Sequence, residues 1–107
     1  MIRTVDLVIA GDCSHARTAA ADALQCGRRV LVVLRSGEAR AGRRLRKCLC
    51  RTASVDASQV TVMTRAEVVC VDGVDRVEAV VIRYAQTGRL RAVNASSFLS
   101  CEGSTNS

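Results

Sequence analysis

Two short apolar runs near the amino terminus flank a segment with helical periodicity. Residues 5–10 and 30–34 are almost entirely aliphatic, and the first run ends at Gly11, a pattern typical of buried strands. Between them, small residues recur at helical spacing from Ser14 to Cys26; Ser14 is the expected N-cap and Gly27 the expected stop. Strand, turn, helix and strand within about 30 residues predict a βαβ unit with a right-handed crossover.

A second helix is predicted next over the basic segment at residues 35–51, with its apolar stripe extending to Thr52, and a third strand is predicted at residues 60–62. The apolar stripe of that helix is predicted to contain Ala41, Leu45, Cys48, Leu49 and Thr52. The remaining chain reads as an antiparallel meander and a separate closing strand, with runs at 67–72, 76–84, 90–94 and 97–101. Together these elements predict a small three-layer α/β domain, a parallel sheet with an antiparallel β-meander packed against it. We expect one domain over residues 1–103 and a disordered tail over residues 104–107.

The net charge of the 107-residue chain is concentrated in one segment. The formal charge is +6, and residues 35–51 contain seven Lys or Arg against a single Glu, so this segment carries the whole excess. The favoured interpretation of most of these cations is a solvated helix face, and the sharper alternative is docking to an acidic partner or to phosphate groups. Tyr84 and Phe98 are the only aromatic residues, too few for a base-stacking surface, so we expect no nucleic-acid partner.

Hydropathy and cysteine content indicate the expected localisation and whether a metal site is expected. No apolar run approaches the roughly 20 residues that span a bilayer, and no signal-peptide pattern opens the chain, so a cytoplasmic protein with no membrane partner is expected. Six cysteines occur in apolar segments without metal-ligand spacing, and the chain has one His. We therefore expect structural thiols and no metal site.

The turn between the first strand and the first helix carries the clearest motif. A dinucleotide-binding turn reads Gly-x-Gly-x-x-Gly/Ala, where helix amides face a pyrophosphate. The corresponding stretch is Gly11-Asp12-Cys13-Ser14-His15-Ala16, and these six residues are the candidate pyrophosphate site. The second glycine is replaced by Cys13, whose side chain is expected to crowd the ligand, and Asp12 adds a negative charge. A catalytic thiol at Cys13 beside His15 is a weaker reading, since no oriented base and pocket accompany it.

The end of the second strand suggests which dinucleotide would fit. About 20 residues beyond the glycine turn, an acidic residue normally accepts a hydrogen bond from a free ribose 2′-hydroxyl. Here Arg35 and Ser36 follow the strand, with Arg40 one helical turn further on. Guanidinium groups suit a 2′-phosphate, so Arg35, Ser36 and Arg40 predict NADPH in preference to NADH.

These motifs, in this order, resemble the NADPH-binding domain of thioredoxin-reductase-like pyridine nucleotide-disulfide oxidoreductases, within the FAD/NAD(P)-binding Rossmann superfamily. The family's His-Arg-Arg-x-x-x-Arg-Ala corresponds to Leu34-Arg35-Ser36-Gly37-Glu38-Ala39-Arg40-Ala41. Its hairpin and closing strand correspond to Val77-Glu78-Ala79-Val80-Val81-Ile82-Arg83, Thr87-Gly88 and Ser97-Phe98-Leu99-Ser100-Cys101-Glu102-Gly103. The resemblance runs from about Val5 to Gly103. The first His and the second Arg of the family pattern are replaced by Leu34 and Ser36.

The resemblance implies a stand-alone NADPH-binding module of a flavin-dependent oxidoreductase. The family's Cys-x-x-Cys pair and flavin domain have no counterpart in this sequence, so FAD would be carried by a partner, either a flavoprotein subunit or another copy in a homo-oligomer. Such a module is not a self-sufficient enzyme, and no catalytic side chain is assigned because hydride transfer belongs to the cofactors. Two alternatives remain open: an FAD-binding-type domain, or a degenerate Rossmann subunit with a structural or interaction role in a larger FAD-dependent oxidoreductase complex.

Overall fold

The computed structural model describes residues 4–11, 13–35, 37, 39–74 and 76–100. Eight main elements follow in the order β1 (Thr4–Ala10), α1 (Ser14–Gln25), β2 (Val30–Val33), α2 (Ala39–Ala53), β3 (Val60–Met63), β4 (Ala66–Asp72), β5 (Ala79–Tyr84) and β6 (Leu90–Ser100), with a single 3-10 turn at Ala57–Gln59. The predicted tail at 104–107 and the predicted end of the closing strand at Cys101 lie outside the described residues.

All six strands join one mixed sheet in the order β3-β2-β1-β6-β5-β4. The pairs β3–β2, β2–β1 and β1–β6 are parallel, whereas β6–β5 and β5–β4 are antiparallel. The βαβ unit predicted from the sequence is therefore present, with β1 and β2 in register from Leu7 opposite Val30 to Ala10 opposite Val33. The α/β class and the combination of a parallel sheet with a β-meander are confirmed.

The last strand differs from the prediction of two separate strands at 90–94 and 97–101. It is one 11-residue strand, β6, and Asn94 pairs with both Ala79 of β5 and Thr4 of β1. Its first half thus completes the meander, and its second half extends the parallel sheet. The polar residues at 94, 96 and 97 suggest a break, but Ala95 between them is buried and pairs with Val5 of β1, so the strand continues through this stretch.

Both helices cover one face of the parallel strands. Ile9 and Val32 point to this face and pack with Leu24 of α1 and with Leu45 and Leu49 of α2, all nearly inaccessible to solvent. Alanines at 16, 20 and 23 let α1 lie close to the sheet, because a methyl group adds little thickness at a helix–sheet contact. The core on this face consists of aliphatic side chains and alanine, as the near-absence of aromatic residues requires.

The meander supplies the layer on the opposite face. Val8 and Leu31 alternate with the helix-facing residues and pack against Val80 and Ile82 of β5 and Val93 of β6. The sheet therefore curls so that its antiparallel half covers its parallel half, which gives three layers: helices, parallel strands and meander. Strands β1 and β2 contribute side chains to both cores.

The buried stripe of α2 is rotated relative to the prediction. Leu45 and Leu49 are buried as expected, but Ala41, Cys48 and Thr52 are exposed, and the remaining buried positions are Gly42 and Ala53. A Cβ on Gly42 would lie 3.1 Å from Thr64 Cγ2 and 3.4 Å from Val62 Cγ1, so α2 approaches β3 closely at this point. A stripe chosen from apolar residues alone is rotated away from the observed one. It omits Gly42, the glycine at the close contact between α2 and β3.

Candidate functional site

The carboxyl ends of β1 and β2 lie side by side at one edge of the sheet. The Gly11 N–H donates to the Val33 carbonyl at 3.0 Å, and the Leu34 N–H donates to the Met63 carbonyl at 2.8 Å. The turn after β1 and the residues after β2 therefore occupy the same edge. In open α/β sheets, ligands bind in the crevice outside the carboxyl ends of the strands.

Gly11 is the one position in this turn whose backbone conformation demands glycine among the residues the structure describes there. Its φ is 110° and the residue is buried, a combination that a side chain tolerates poorly. Cys13, at the second glycine position of the motif, has φ −85° and ψ 167°, an ordinary extended conformation. A glycine at position 13 would thus serve ligand approach and not backbone geometry. Asp12 lies outside the described residues.

The N-cap of α1 is Cys13 and not Ser14, which corrects the prediction. The Cys13 sulfur accepts a hydrogen bond from the Ala16 N–H at 3.4 Å, and Ser14 is the first helical residue. Sulfur is a weak acceptor, so this cap is weaker than a serine or aspartate cap. Its consequence for the site is direct, because the Cys13 side chain engages one of the amides expected to face a pyrophosphate.

The other residues of the turn divide into exposed and buried positions. Ser14 and His15 are exposed at the first turn of α1, whereas Ala16 is buried against the sheet. Ala16 therefore serves the close helix–strand packing that the last position of the motif requires. A narrow apolar seam continues from Gly11 and Ala16 between the two helices.

Arg35 lies directly beyond β2 and extends toward β4. Its side chain is 64% exposed, and its Nη2 lies 3.9 Å from the Oε2 of Glu67. Arg40, in the first turn of α2, is also exposed. The structure thus places both arginines on the surface beyond β2, as the sequence indicates, while Ser36 lies outside the described residues.

Glu67 and Arg83 are neighbours of this site that no sequence motif indicates. The Ala66 N–H donates to the Leu34 carbonyl at 3.0 Å, which brings β4 against the end of β2 and sets Glu67 beside Arg35. Arg83 is the register partner of Glu67 on β5, and its Nη2 donates to Glu67 Oε1. These two residues reach the site only because strands that are distant in the sequence pair with each other. Hydrophobic periodicity does not predict that pairing.

A surface depression adjoins the end of β2 and the start of α2. It measures about 700 Å³, is open to solvent, and is lined by Ala39, Thr64, Arg65, Tyr84, Gln86 and Thr87. The Ala85 N–H donates to the Arg65 carbonyl at 2.9 Å, so the β3–β4 and β5–β6 connections form its walls together. The depression reaches the start of α2 at Ala39, but neither Arg35 nor Arg40 is among the residues that line it.

The cysteines and acidic residues do not form a metal-binding group within the part of the chain that the structure describes. Cys26, Cys48 and Cys70 are exposed thiols and Cys50 is half-buried, so none of these four is the buried core cysteine that the sequence predicts. A hydrogen bond to Asp72 and the negative charge of that carboxylate raise the pKa of the exposed Cys70 thiol above its ordinary value. Across the described residues, neither helix is long and apolar enough to cross a bilayer.

Comparisons with solved structures identify the fold. No protein-family model and no curated protein sequence matches the chain. It superimposes on thioredoxin reductase from Streptococcus pyogenes MGAS5005 with a TM-score of 0.68 and 24% identity, covering 95% of this chain and 32% of that one. For thioredoxin reductase from Giardia duodenalis the values are 0.68, 17%, 95% and 32%.

A structure from another class of enzyme shares the same fold. The myxobacterial chondrochloren halogenase CndH, an FAD-dependent halogenase, superimposes with a TM-score of 0.69 and 17% identity, covering 94% of this chain and 38% of that one. The chain spans about a third of the length of each of these three structures. Its Rossmann-like α/β fold is thus the fold of one region of thioredoxin reductases and of an FAD-dependent halogenase.

Proposed function

We propose that this chain is an NADPH-binding module of the thioredoxin-reductase type, acting with a flavin carried by another polypeptide. The observation that carries the proposal is the pair of exposed arginines, Arg35 and Arg40, beyond the carboxyl end of β2. The thioredoxin reductases among the structural neighbours support the flavoprotein setting.

The turn after β1 would hold the pyrophosphate. Gly11 provides the tight turn, and the N–H groups of Cys13, Ser14 and His15 belong to the amino-terminal region of α1, where partial positive charge favours an anion. Ala16 keeps this helix end close to the sheet. These residues fit a dinucleotide, with the Cys13 side chain as the one feature that opposes close approach.

Arg35 and Arg40 would hold the 2′-phosphate of the adenosine ribose. A guanidinium presents a fork of N–H donors that matches phosphate oxygens, and both side chains are accessible. The Glu67 carboxylate lies beside Arg35 but is already bound by Arg83. Glu67 therefore offsets the charge of Arg35 only in part, and Arg35 can still bind a phosphate. The bound nicotinamide supplies the hydride chemistry.

The flavin would be carried by a separate polypeptide that binds to the surface of this module. The exposed cations of α2 offer a surface for an acidic partner, a flavoprotein subunit or a second copy of the chain: Arg43, Arg44, Lys47 and Arg51. Arg46 is not part of that surface, because it is half-buried and donates from Nε and Nη2 to the Ala57 carbonyl at 3.3 and 3.1 Å.

Two other functions have a specific observation in their favour. The fold shared with an FAD-dependent halogenase favours an FAD-type domain, although such a site normally has an acidic residue where Arg35 stands. The Cys13 cap favours a degenerate subunit that no longer binds nucleotide and has a structural or interaction role in a larger FAD-dependent oxidoreductase complex.

Nucleotide titrations separate these possibilities. The purified chain is titrated with NADPH, NADH and FAD by calorimetry, together with the variant Arg35→Ala/Arg40→Ala. We expect NADPH to bind most tightly and the double variant to lose about 10- to 100-fold in NADPH affinity, the value of charge-assisted hydrogen bonds to phosphate. NADH affinity should stay within about 2-fold, because it lacks the phosphate that the arginines bind.

A matched control is Arg28→Ala/Arg51→Ala, which removes two exposed arginines away from the carboxyl end of β2. This variant should bind NADPH nearly as well as the parent chain. FAD binding in place of NADPH would favour the FAD-type domain. The absence of binding for all three nucleotides at about 1 mM would contradict the proposal and favour the structural subunit.

A further inference from the structure

A carboxylate from β4 stands between two arginines at the proposed 2′-phosphate site. Glu67 is bound by Arg83 through Oε1, and its Oε2 lies 3.9 Å from the Nη2 of Arg35. The side chains of Arg35 and Arg83 are 64% and 50% exposed, and that of Glu67 is 30% exposed. A ligand approaching Arg35 from solvent therefore meets this group of three charges, whose sum is +1.

The two contacts of Glu67 are unequal. Arg83 is its register partner on the neighbouring strand, so the β4–β5 ladder holds the two side chains together. Arg35 follows a strand end and approaches only to the edge of ion-pair distance. An incoming anion can thus displace the weaker contact while Glu67 keeps the stronger one.

We propose that Glu67 is a specificity-determining residue, which competes with a ribose 2′-phosphate for Arg35, and that Arg83 limits this competition by binding Glu67. The inference rests on the proposed function and deepens it. Residues 34–37, directly after β2, include no carboxylate, which would select against a 2′-phosphate there, and Glu38 lies outside the described residues. The tertiary structure brings one to that place from β4 and partly neutralises it.

The signs of the effects follow from the charges. Removing the negative charge of Glu67 relieves repulsion of the phosphate and releases Arg35, so binding of a 2′-phosphorylated nucleotide should tighten. Removing Arg83 leaves Glu67 with Arg35 as its neighbouring cation, so the same binding should weaken. When Glu67 is already neutral, the loss of Arg83 should matter less, because no carboxylate is left to be released.

The experiment compares 2′,5′-ADP with 5′-AMP by isothermal titration calorimetry on the full chain, Glu67→Gln, Arg83→Gln and the double variant. We expect Glu67→Gln to tighten 2′,5′-ADP about 3- to 10-fold at low salt and to change 5′-AMP less than about 2-fold. Arg83→Gln should weaken 2′,5′-ADP by a similar factor, and by clearly less in the Glu67→Gln background. All four proteins should remain folded, because exposed ion pairs contribute little stability.

Glu78→Gln and Arg76→Gln are matched controls with the same charge changes near the opposite end of β5. A preference for 2′,5′-ADP that Glu67→Gln leaves unchanged, or that Glu78→Gln shifts equally, would overturn the role of Glu67 and leave the proposed function standing. Additive effects of the Glu67 and Arg83 substitutions would overturn the competition between the two arginines for one carboxylate. If the parent chain binds neither 2′,5′-ADP nor NADPH, both the inference and the proposed function fail.

Discussion

Cys13 is the N-cap of α1 and also occupies the second glycine position of the dinucleotide-binding motif. Its backbone is extended and unstrained, so the chain does not need glycine there, and its sulfur caps the Ala16 amide. The same side chain stands where a bound pyrophosphate would approach the helix end. The residue therefore adds a little helix stability and opposes the proposed binding.

The substitution Cys13→Gly should separate these two effects. We expect NADPH affinity to rise about 3- to 10-fold, the value of one more backbone hydrogen bond to the ligand, since the Ala16 amide is released and the side chain is removed. The free energy of unfolding should fall by about 0.5–1 kcal/mol, because an N-cap and some apolar contact are lost. Calorimetric titration and urea denaturation measure the two quantities.

Cys13→Ser is the control, because it keeps both a cap and a side chain at this position. It should leave NADPH affinity close to that of the parent chain. A gain in affinity for the serine variant equal to that of the glycine variant would show that the bulk of residue 13 does not oppose binding.

The Cys70 thiol gives a prediction for pH dependence. Asp72 raises the pKa of this exposed thiol, so less of the reactive thiolate is present at a given pH. Alkylation by iodoacetamide should therefore reach its half-maximal rate at a higher pH than for an unperturbed thiol. Asp72→Asn should move the profile of Cys70 to lower pH, because the repelling carboxylate is gone.

Peptide mapping by mass spectrometry between about pH 7 and pH 10 follows each cysteine separately, a range that spans the ordinary pKa of a thiol. Cys48, on the exposed face of α2, is the internal control, and its alkylation profile should be the same in both proteins. An unchanged Cys70 profile in Asp72→Asn would contradict the assigned cause.

At the scale of elements, α2 joins a buried apolar stripe to a strongly basic surface. Leu45 and Leu49 pack into the core on the helix side of the sheet, and Gly42 lets the helix touch β3. The same helix carries six of the 16 Lys and Arg residues of the chain and no acidic residue, a charge equal to the net charge of +6. Its position is set by the apolar contacts, so the cations are left accessible to a ligand or partner.

Adjacent residues of α2 test the rotated stripe. Leu49→Ala should lower the free energy of unfolding by about 2–4 kcal/mol, since it opens a cavity at a site that is 2% exposed. Cys48→Ala, one residue earlier, should change it by less than about 0.5 kcal/mol, because Cys48 is exposed. Urea denaturation followed by circular dichroism measures both, and equal losses would contradict the observed orientation of the helix.

At the scale of the whole molecule, two cores share the central strands. Ile9 and Val32 face the helices, while Val8 and Leu31 on the same strands face the meander. Loss of one layer therefore exposes apolar residues of β1 and β2 and weakens the support of the other layer. This arrangement favours unfolding as one unit.

Two probes on different layers test this cooperativity. Tyr84, the only tyrosine of the chain, reports on the meander, and far-ultraviolet circular dichroism is dominated by α1 and α2. We expect coincident urea transitions for the two probes, in the parent chain and in the variants Leu49→Ala and Ile82→Ala, which damage one core each. Separate transitions would show that the layers unfold independently.

Local chemistry made much of this structure predictable. The βαβ unit, the turn at Gly11 and the positions of Arg35 and Arg40 follow from apolar runs, glycine and charge that lie close together in the sequence. The continuous strand β6 was missed because Ala95 is buried between polar neighbours, which periodicity reads as a turn. The sequence predicts Ser14 as the N-cap because serine is a preferred capping residue, whereas Cys13 takes this position in the structure.

By itself, the sequence determined the α/β class, the order of its elements as far as β5 and the concentration of positive charge after β2, because each depends on residues within one or two turns or strands. Only the tertiary structure decided that β4 lies against the end of β2 and sets Glu67, paired with Arg83, beside Arg35. Contacts of this kind depend on how distant strands pair and curl over one another. Because of that packing, a carboxylate lies beside one arginine of the basic segment, which the net charge of +6 does not reveal.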